Sequence, residues 1–466
     1  MIVACSTPSL IVVRLQLLAL FGCQPSQNPS SDTTAATVEA ETTPVIPDHQ
    51  TITIMTNDTT KDYVETLVKH FTNKYKDVTV EITYVEGVQS LDYTEKLAND
   101  LLAGNGPDVI LLSNTNLSNQ DVSMAKTDVF ADLDALNDIY GYLNWNDYVD
   151  TVMEAGVFEG TRKIMPAYYQ FPMMLGITEV LDREQIVYGE GKTTADFFNS
   201  MNGKEMLPFK WPYYFFEYYR YTGLTLVDQY HATVNLQNDD FRSVVSAYYP
   251  VYGEVHNRKY RDFLTQGTYQ DSLTGPLLAD EILFINGDYS HPYSCYISFL
   301  DGLYETVQNA GKNPEFVAIP DQVGKGIAGT LGYSFAINSA TECPEAALRF
   351  LAYAVSFEFY CADDEVRAIP VNKAYNAAVR AMYYGEEINL PEGITMRDFA
   401  FGISTIDRED LDTYYSYLDQ VYIPQYIDQT ALNYLSLVVV NMVRNGMSME
   451  ESIRQSENEL NIFLNE

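Results

Sequence analysis

Apolar and polar residues alternate along Thr51–Thr56 (TITIMT), the pattern of a half-buried strand. From Asp62 to Tyr75 the spacing becomes helical, with Tyr63, Leu67, Val68, Phe71 and Tyr75 recurring on one face. Val78–Tyr84 alternates again and predicts a second strand. Tyr93–Leu102 predicts a helix with Leu97, Leu101 and Leu102 marking one face, closed by Gly104-Asn105-Gly106-Pro107, and the apolar run Asp108–Leu112 predicts a third strand. Strand, helix, strand, helix, strand with short connections is the signature of parallel α/β layering. Ligands of open α/β sheets bind beyond the carboxyl ends of the strands. The polar segments there, Asn57-Asp58-Thr59 and Ser113-Asn114-Thr115, make Asn57, Asp58 and Asn114 the first candidates for ligand contact. Asp108, at the beginning of its strand, is expected to be structural.

The middle of the chain, from Thr161 to Gly329, is richer in aromatic residues and mixed in period, with helical signals and short strands such as Glu281–Phe284. Tyr333–Asn338 predicts a strand. It leads into a helix over Cys343–Val355, with Pro344 at its start and Ala347, Leu348, Leu351 and Val355 on one face. Leu432–Val443 predicts a helix, and Ser448 and Glu451 beyond it have capping-box spacing. No internal repeat is visible.

Composition narrows the function. The 466 residues are 46% hydrophobic, too apolar for a disordered acidic tail, and at about 100 to 200 residues per domain they make two to four domains or lobes. Against 64 acidic residues stand only 28 Lys and Arg, a net charge of -36. Nucleic acid and anionic lipid headgroups both require a cationic surface, so neither is an expected partner.

At the N-terminus, Leu10 to Gly22 is apolar apart from Arg14 and Gln16, shorter than the roughly 20 residues of a membrane-spanning helix and better suited to a cleaved signal. Leu20-Phe21-Gly22-Cys23 resembles a bacterial lipoprotein signal, which implies removal of residues 1–22 and lipidation of Cys23 as the new N-terminus. Residues 24–49, rich in Ser, Thr, Pro, Ala and Gln, cannot bury enough surface to fold and predict a flexible tether over 23–50. The remaining cysteines, Cys295, Cys343 and Cys361, do not make a disulfide framework; one pair, Cys343 with Cys361, could bridge outside the cell, and free buried thiols fit at least as well.

Two nucleotide motifs are only apparent. Gly324-Lys325-Gly326-Ile327-Ala328-Gly329 satisfies G-x-G-x-x-G, but a strand pattern follows it rather than the helix whose N-terminus would receive a pyrophosphate. Gly191-Lys192-Thr193 ends like a P-loop, but Ile186 occupies the place of its first glycine. The five histidines have no metal-ligand spacing, and the acidic doublets Asp239-Asp240 and Asp363-Asp364 read as solvated surface, so no metal or cofactor is expected.

The order of these signatures resembles the extracellular solute-binding proteins of ABC importers, of the carbohydrate type that includes maltose-binding protein. Phe71 to Tyr75 resembles the family's helix-to-strand step, and Gly104-Asn105-Gly106-Pro107-Asp108-Val109-Ile110 resembles its "A-x-G-x-x-P-D-V-I" element. Phe130-Ala131-Asp132-Leu133, Lys163 to Ala167, Ile285 to Tyr289, Gly332 to Asn338, Glu345-Ala346-Ala347 and Ile369-Pro370-Val371 follow in family order. The resemblance implies an α/β fold of the type II, periplasmic-binding-protein-like kind, two lobes joined by a hinge with the ligand cleft between them. Chain crossings near Pro166, Gly332 and Lys373 would give lobe 1 as 51–167 plus 332–373 and lobe 2 as 168–331 plus 374–466.

The same resemblance implies a non-enzymatic, monomeric protein held by lipid on the outer face of the cell membrane, capturing a mono- or oligosaccharide for an ABC permease. A sugar offers hydroxyls to hydrogen-bond and C–H faces to stack on rings. The segment Trp211 to Tyr221 is the densest aromatic cluster, and its Pro-Tyr beginning resembles the family's ring-supplying segment, pointing to Trp211 and Tyr213; core packing accounts for most of its other rings. The turn Asn286-Gly287-Asp288-Tyr289 adds Asp288 and Tyr289, and the crossings add Tyr168, Tyr169 and Tyr333. The same fold with a peptide or polyamine ligand, or a secreted carbohydrate-active enzyme with paired carboxylates, are the alternatives.

Overall fold

The computed structural model describes residues 46–85, 90–112, 121–209, 215–256, 274–285, 296–363, 368–388, 390–395 and 405–465. Cys23 and its tether, and the site candidates Asn114, Trp211, Tyr213, Asp288 and Tyr289, lie outside the described residues.

The opening strand, Gln50–Asn57, pairs in parallel with Val78–Val85 over its whole length and with the strand Val109–Leu112 through Ile54 and Val109. Ser334–Ile337 adds antiparallel to Val109–Leu112, and Met165–Pro166 adds antiparallel to Ser334–Ile337, giving a five-stranded sheet. Successive side chains of a strand point to opposite faces. On one face, Ile52, Ile54, Val109, Leu111, Phe335 and Ile337 pack with Tyr63, Val64, Leu67 and Phe71 of the helix Lys61–Lys74. On the other, Met55, Ile110, Leu112 and Ala336 pack with Tyr93, Leu97 and Leu101 of the helix Ser90–Leu102. That helix starts three residues before the expected Tyr93. The edges of the sheet differ. One is the long strand Val78–Val85, with Thr79, Glu81 and Thr83 exposed; the other is two residues long and ends in Pro166.

Asp108 is structural, as expected: one carboxylate oxygen accepts from the Thr53 N–H and hydroxyl at 2.8 Å each, and the other accepts from the Thr341 hydroxyl. These bonds fix the amino end of Val109–Leu112 against its neighbours.

A three-stranded antiparallel patch follows, with Tyr168–Gln170 between Thr330–Leu331 and Ile369–Pro370. Beyond it, Met173–Ile177 pairs antiparallel with Pro314–Ala318 and bridges through Leu175 to Ile285, next to the parallel pair Leu207–Phe209 and Ile282–Phe284. The helices Thr194–Met201, Asp239–His256 and Gln429–Asn445 pack here, and Met449–Asn465 lies on the last of them. Tyr218 and Tyr219 of the aromatic run are fully buried, Tyr218 against Phe198, Phe209 and Tyr248. The Ser448 and Glu451 capping box forms: the Ser448 hydroxyl accepts from the Glu451 N–H at 3.3 Å and the Glu451 carboxylate accepts from the Ser448 N–H at 3.2 Å. Cys343 and Cys361 are not joined to each other, so the bridge left open between them is not made. No helix among the described residues is long and apolar enough to cross a membrane.

The false dinucleotide motif has a structural explanation. The N–H groups of Gly324, Lys325 and Gly326 converge at 2.7, 3.0 and 3.2 Å on the buried carboxylate of Asp321, which also accepts from the Tyr422 hydroxyl at 2.6 Å. The loop therefore wraps an anion supplied by the chain itself. Gly326 is required, since its φ is +146° and a Cβ there would stand 2.7 Å from the Gln420 carbonyl oxygen. Asp321→Ala would leave these donors without their acceptor, and urea unfolding should show a loss of about 2 to 4 kcal/mol.

Candidate ligand-binding site

The carboxyl end of Gln50–Asn57 turns directly into a helix. Asn57 performs the turn: its buried side-chain oxygen accepts from the Thr59 N–H at 3.0 Å, the Thr60 N–H at 3.2 Å and the Thr60 hydroxyl at 3.3 Å, satisfying donors at the start of Lys61–Lys74. Asp58, beside it, is exposed. Because Ser334–Ile337 runs antiparallel to Val109–Leu112, with Ser334 opposite Leu112, Tyr333 and Ser334 lie at this same carboxyl edge. The Ser334 hydroxyl is buried and has no hydrogen-bond partner.

An aromatic cluster is built on this edge. The Tyr63 and Tyr333 rings lie 4.6 Å apart, and Tyr168 meets them edge-on at 6.1 and 6.2 Å, separations at which aromatic pairs attract. Tyr360 stands 5.2 Å from Tyr168 and donates from its hydroxyl to the Ala167 carbonyl at 2.6 Å. Tyr168 donates to the Asp363 carboxylate at 2.9 Å. Asp363, read as solvated surface from its doublet, is thus half-buried and engaged with a tyrosine 195 residues earlier in the chain. Burial, and after it the negative charge of Asp363, pushes the Tyr168 hydroxyl well above the usual tyrosine range, and burial does the same to Tyr360. Both stay neutral and serve as donors.

The backbone makes this approach possible. The Gly332 N–H donates to the Tyr168 carbonyl at 2.7 Å, and a Cβ on Gly332 would lie 3.0 Å from that of Tyr168. Tyr169 is buried and pairs with Leu331 and Ile369. Thr330, opposite Gln170, carries a second buried hydroxyl without a partner.

Of the described candidates, Tyr168 and Tyr333 are therefore brought together, Asn57 and Asp58 begin the helix that carries Tyr63, and Tyr169 lies in the adjoining patch. Tyr168 and Tyr169 are buried and pack; Tyr333 is half-buried. Tyr63, Ser334, Tyr360 and Asp363 are the residues that sequence reasoning missed. Tyr63 is visible only as one member of a helical stripe, and nothing local marks a serine or an aspartate as facing a tyrosine from afar. Of this cluster Tyr333 and Asp363 keep part of their surface exposed, while Tyr63, Tyr168, Tyr360 and Ser334 are buried behind them. Among the described residues no group of His, Cys, Asp and Glu is arranged to hold a metal ion.

Residues 57–181 match the family model of bacterial extracellular solute-binding proteins. Sequence comparison with curated proteins finds no match. Among solved structures, the sugar-binding protein MalE from the phytopathogen Xanthomonas citri is similar at 16% identity and a TM-score of 0.63, covering 89% of this chain and 97% of its own. An ABC substrate-binding protein from Listeria monocytogenes, in complex with cycloalternan, is similar at 14% identity and a TM-score of 0.56, covering 90% of this chain and 100% of its own. The GacH receptor of Streptomyces glaucescens, solved unliganded and with acarbose, is similar at 15% identity and a TM-score of 0.54, with 90% and 99% covered. The chain has the type II, periplasmic-binding-protein-like α/β fold of these proteins, and over residues 57–181 it carries the sequence signature of the bacterial extracellular solute-binding family.

Proposed function

We propose that this protein is a lipid-anchored, extracytoplasmic receptor that captures a carbohydrate between two lobes and delivers it to an ABC permease. Lobe 1 is residues 51–167 plus 332–373, and lobe 2 is residues 168–331 plus 374–466. The observation that carries the reading is the patch at which Tyr168–Gln170, Thr330–Leu331 and Ile369–Pro370 run side by side next to the carboxyl edge of the main sheet. Three connections of two or three residues each form a hinge, and a ligand touching both lobes favours the closed arrangement that a permease recognises. Carbohydrate as cargo is supported by the rings and unpartnered hydroxyls at this edge, and by similar structures that hold cycloalternan and acarbose. Asn114, Trp211, Tyr213, Asp288 and Tyr289 complete the ligand-contact set with Asn57, Asp58, Tyr168, Tyr169 and Tyr333. The protein acts as a monomer, without cofactor or catalysis, anchored through Cys23. Asp363 beside the tyrosine cluster favours a cationic solute, a polyamine or basic peptide, as the second reading.

A thermal-shift screen of residues 50–466 against mono- and oligosaccharides, with amino acids, peptides and polyamines as controls, decides between the readings. One sugar class should raise the melting temperature, by a stabilisation of about 2.7 kcal/mol at a hundredfold excess over Kd; a shift with polyamines alone would replace the cargo and keep the fold. Ser334→Ala removes no hydrogen bond and should change stability by no more than about 0.5 kcal/mol, while weakening the sugar that scores in the screen about fivefold by calorimetry. Unchanged affinity would remove Ser334 from the site. Cys23→Ala should move the protein from the membrane fraction to the soluble fraction of the cells that make it.

A further inference from the structure

A seam of contacts joins residues 122–159 to residues 228–231 and 426–428, and on the proposed boundaries the first set belongs to lobe 1 and the others to lobe 2. Asp428, buried, accepts the Val122 N–H at 3.3 Å through one carboxylate oxygen and the Gln229 amide at 2.9 Å through the other, while its own N–H donates to Gln229 at 2.6 Å. Phe158 stacks on Tyr230 at 6.0 Å and meets Tyr426 edge-on at 6.3 Å. The Lys126 ammonium lies over the Tyr230 ring at 6.0 Å. At the solvent end stands His231, whose Nδ1 is 2.7 Å from the Asp228 carboxylate and whose Nε2 is 3.1 Å from the Glu159 carboxylate.

Glu159 lies in a tight turn. It and Gly160 have φ of +48° and +82° and join the paired strands Val157–Phe158 and Thr161–Arg162, as a two-residue hairpin turn with positive φ at both central residues requires. The histidine geometry then sets a protonation requirement. A neutral imidazole has one N–H, so facing two carboxylates it donates to one and turns a lone pair toward the other; only the imidazolium donates to both. We propose that His231 is a pH-set latch on the closure of the two lobes, clipping Glu159 of lobe 1 to Asp228 of lobe 2 when protonated and releasing it when neutral. The proposal rests on the two-lobe reading above.

The surrounding charges agree. The hydrogen bonds that His231 donates to Asp228 and Glu159, and after them the negative charge of Asp228, raise His231 above its ordinary 6.5. Burial pulls Asp228 up, but the His231 N–H and ring outweigh it and keep that carboxylate ionised. Asp128 and Glu159 both act on Tyr230, and Lys163 pairs with Asp128 at 3.2 Å. A group whose pKa is raised in the latched form contributes fully below its free value and is lost as pH climbs through the raised one. The latch is therefore closed below about pH 6.5 and opens above it.

The test uses the full chain without ligand. The His231 ring resonance, identified by its loss in His231→Gln, should titrate above 6.5 and return toward 6.5 in Glu159→Gln. The radius of gyration from small-angle scattering should increase between about pH 5.5 and about pH 8.5 in the natural sequence and stay at its high-pH value throughout in His231→Gln. Phe158→Ala combined with Asp428→Ala and Thr151→Val removes the ring contacts, the acceptor of the Val122 N–H and the hydroxyl that donates to the Val421 carbonyl at 2.7 Å, and should expand the chain at every pH. If the seam variant expands while the natural sequence shows no pH response, or if His231→Gln responds to pH as the natural sequence does, the latch is overturned and the two lobes stand. If the folded seam variant does not expand either, the two-lobe reading falls with it.

Discussion

Three passages of the chain lie against one another at residues 168–170, 330–331 and 369–370, and the rest of the structure depends on how their backbone groups are satisfied. Buried N–H and C=O groups must pair, and each passage is too short to pair within itself. They pair with each other, Tyr169 with both Leu331 and Ile369, and the Gly332 N–H with the Tyr168 carbonyl. That demand explains the absent side chain at 332 and the closeness of the Tyr168 and Tyr333 rings. It also places Tyr333 and Ser334 at the carboxyl edge of the main sheet, where the parallel strands end.

A chain so rich in acid must also dispose of the carboxylates it buries. Asp321 is wrapped by three N–H groups of its own loop, Asp428 is shared between Val122 and Gln229, and the half-buried Asp108 is held by two threonines. Glu345, also buried, accepts from Gln50 and Tyr142 and pairs with Arg349, which reaches on to Asp77. Most of these partners are neutral donors, so the scarce cations are left for the surface. The large negative charge is thereby compatible with an ordinary core.

Residues 50–112 were largely legible because long strands and amphipathic helices impose a period on the sequence. The bounds of Gln50–Asn57 and Lys61–Lys74 depart from the expected ones by a residue at each end. Past residue 160 many strands are two or three residues long, as at Thr330–Leu331 and Ile369–Pro370, and two residues carry no period. The site was half legible. Tyr168 and Tyr333 stood out through their neighbours in family order, and Asn57 through its place after a strand, although its oxygen is used to start a helix. Asp363 and Tyr63 owe their positions to contacts across hundreds of residues, for which no local spacing exists. The G-x-G-x-x-G string shows the converse: glycines that permit close approach to an anion do not say where the anion comes from.

The unlike edges of the main sheet bear on encounters between copies of the chain. An open strand edge invites two copies to zip together. Here one edge is two residues long and ends in a proline that has no N–H to offer. The other, Val78–Val85, places Glu81 near its centre, so that an antiparallel encounter of two copies there sets carboxylate against carboxylate. The main sheet is in this way kept from becoming a template for fibres.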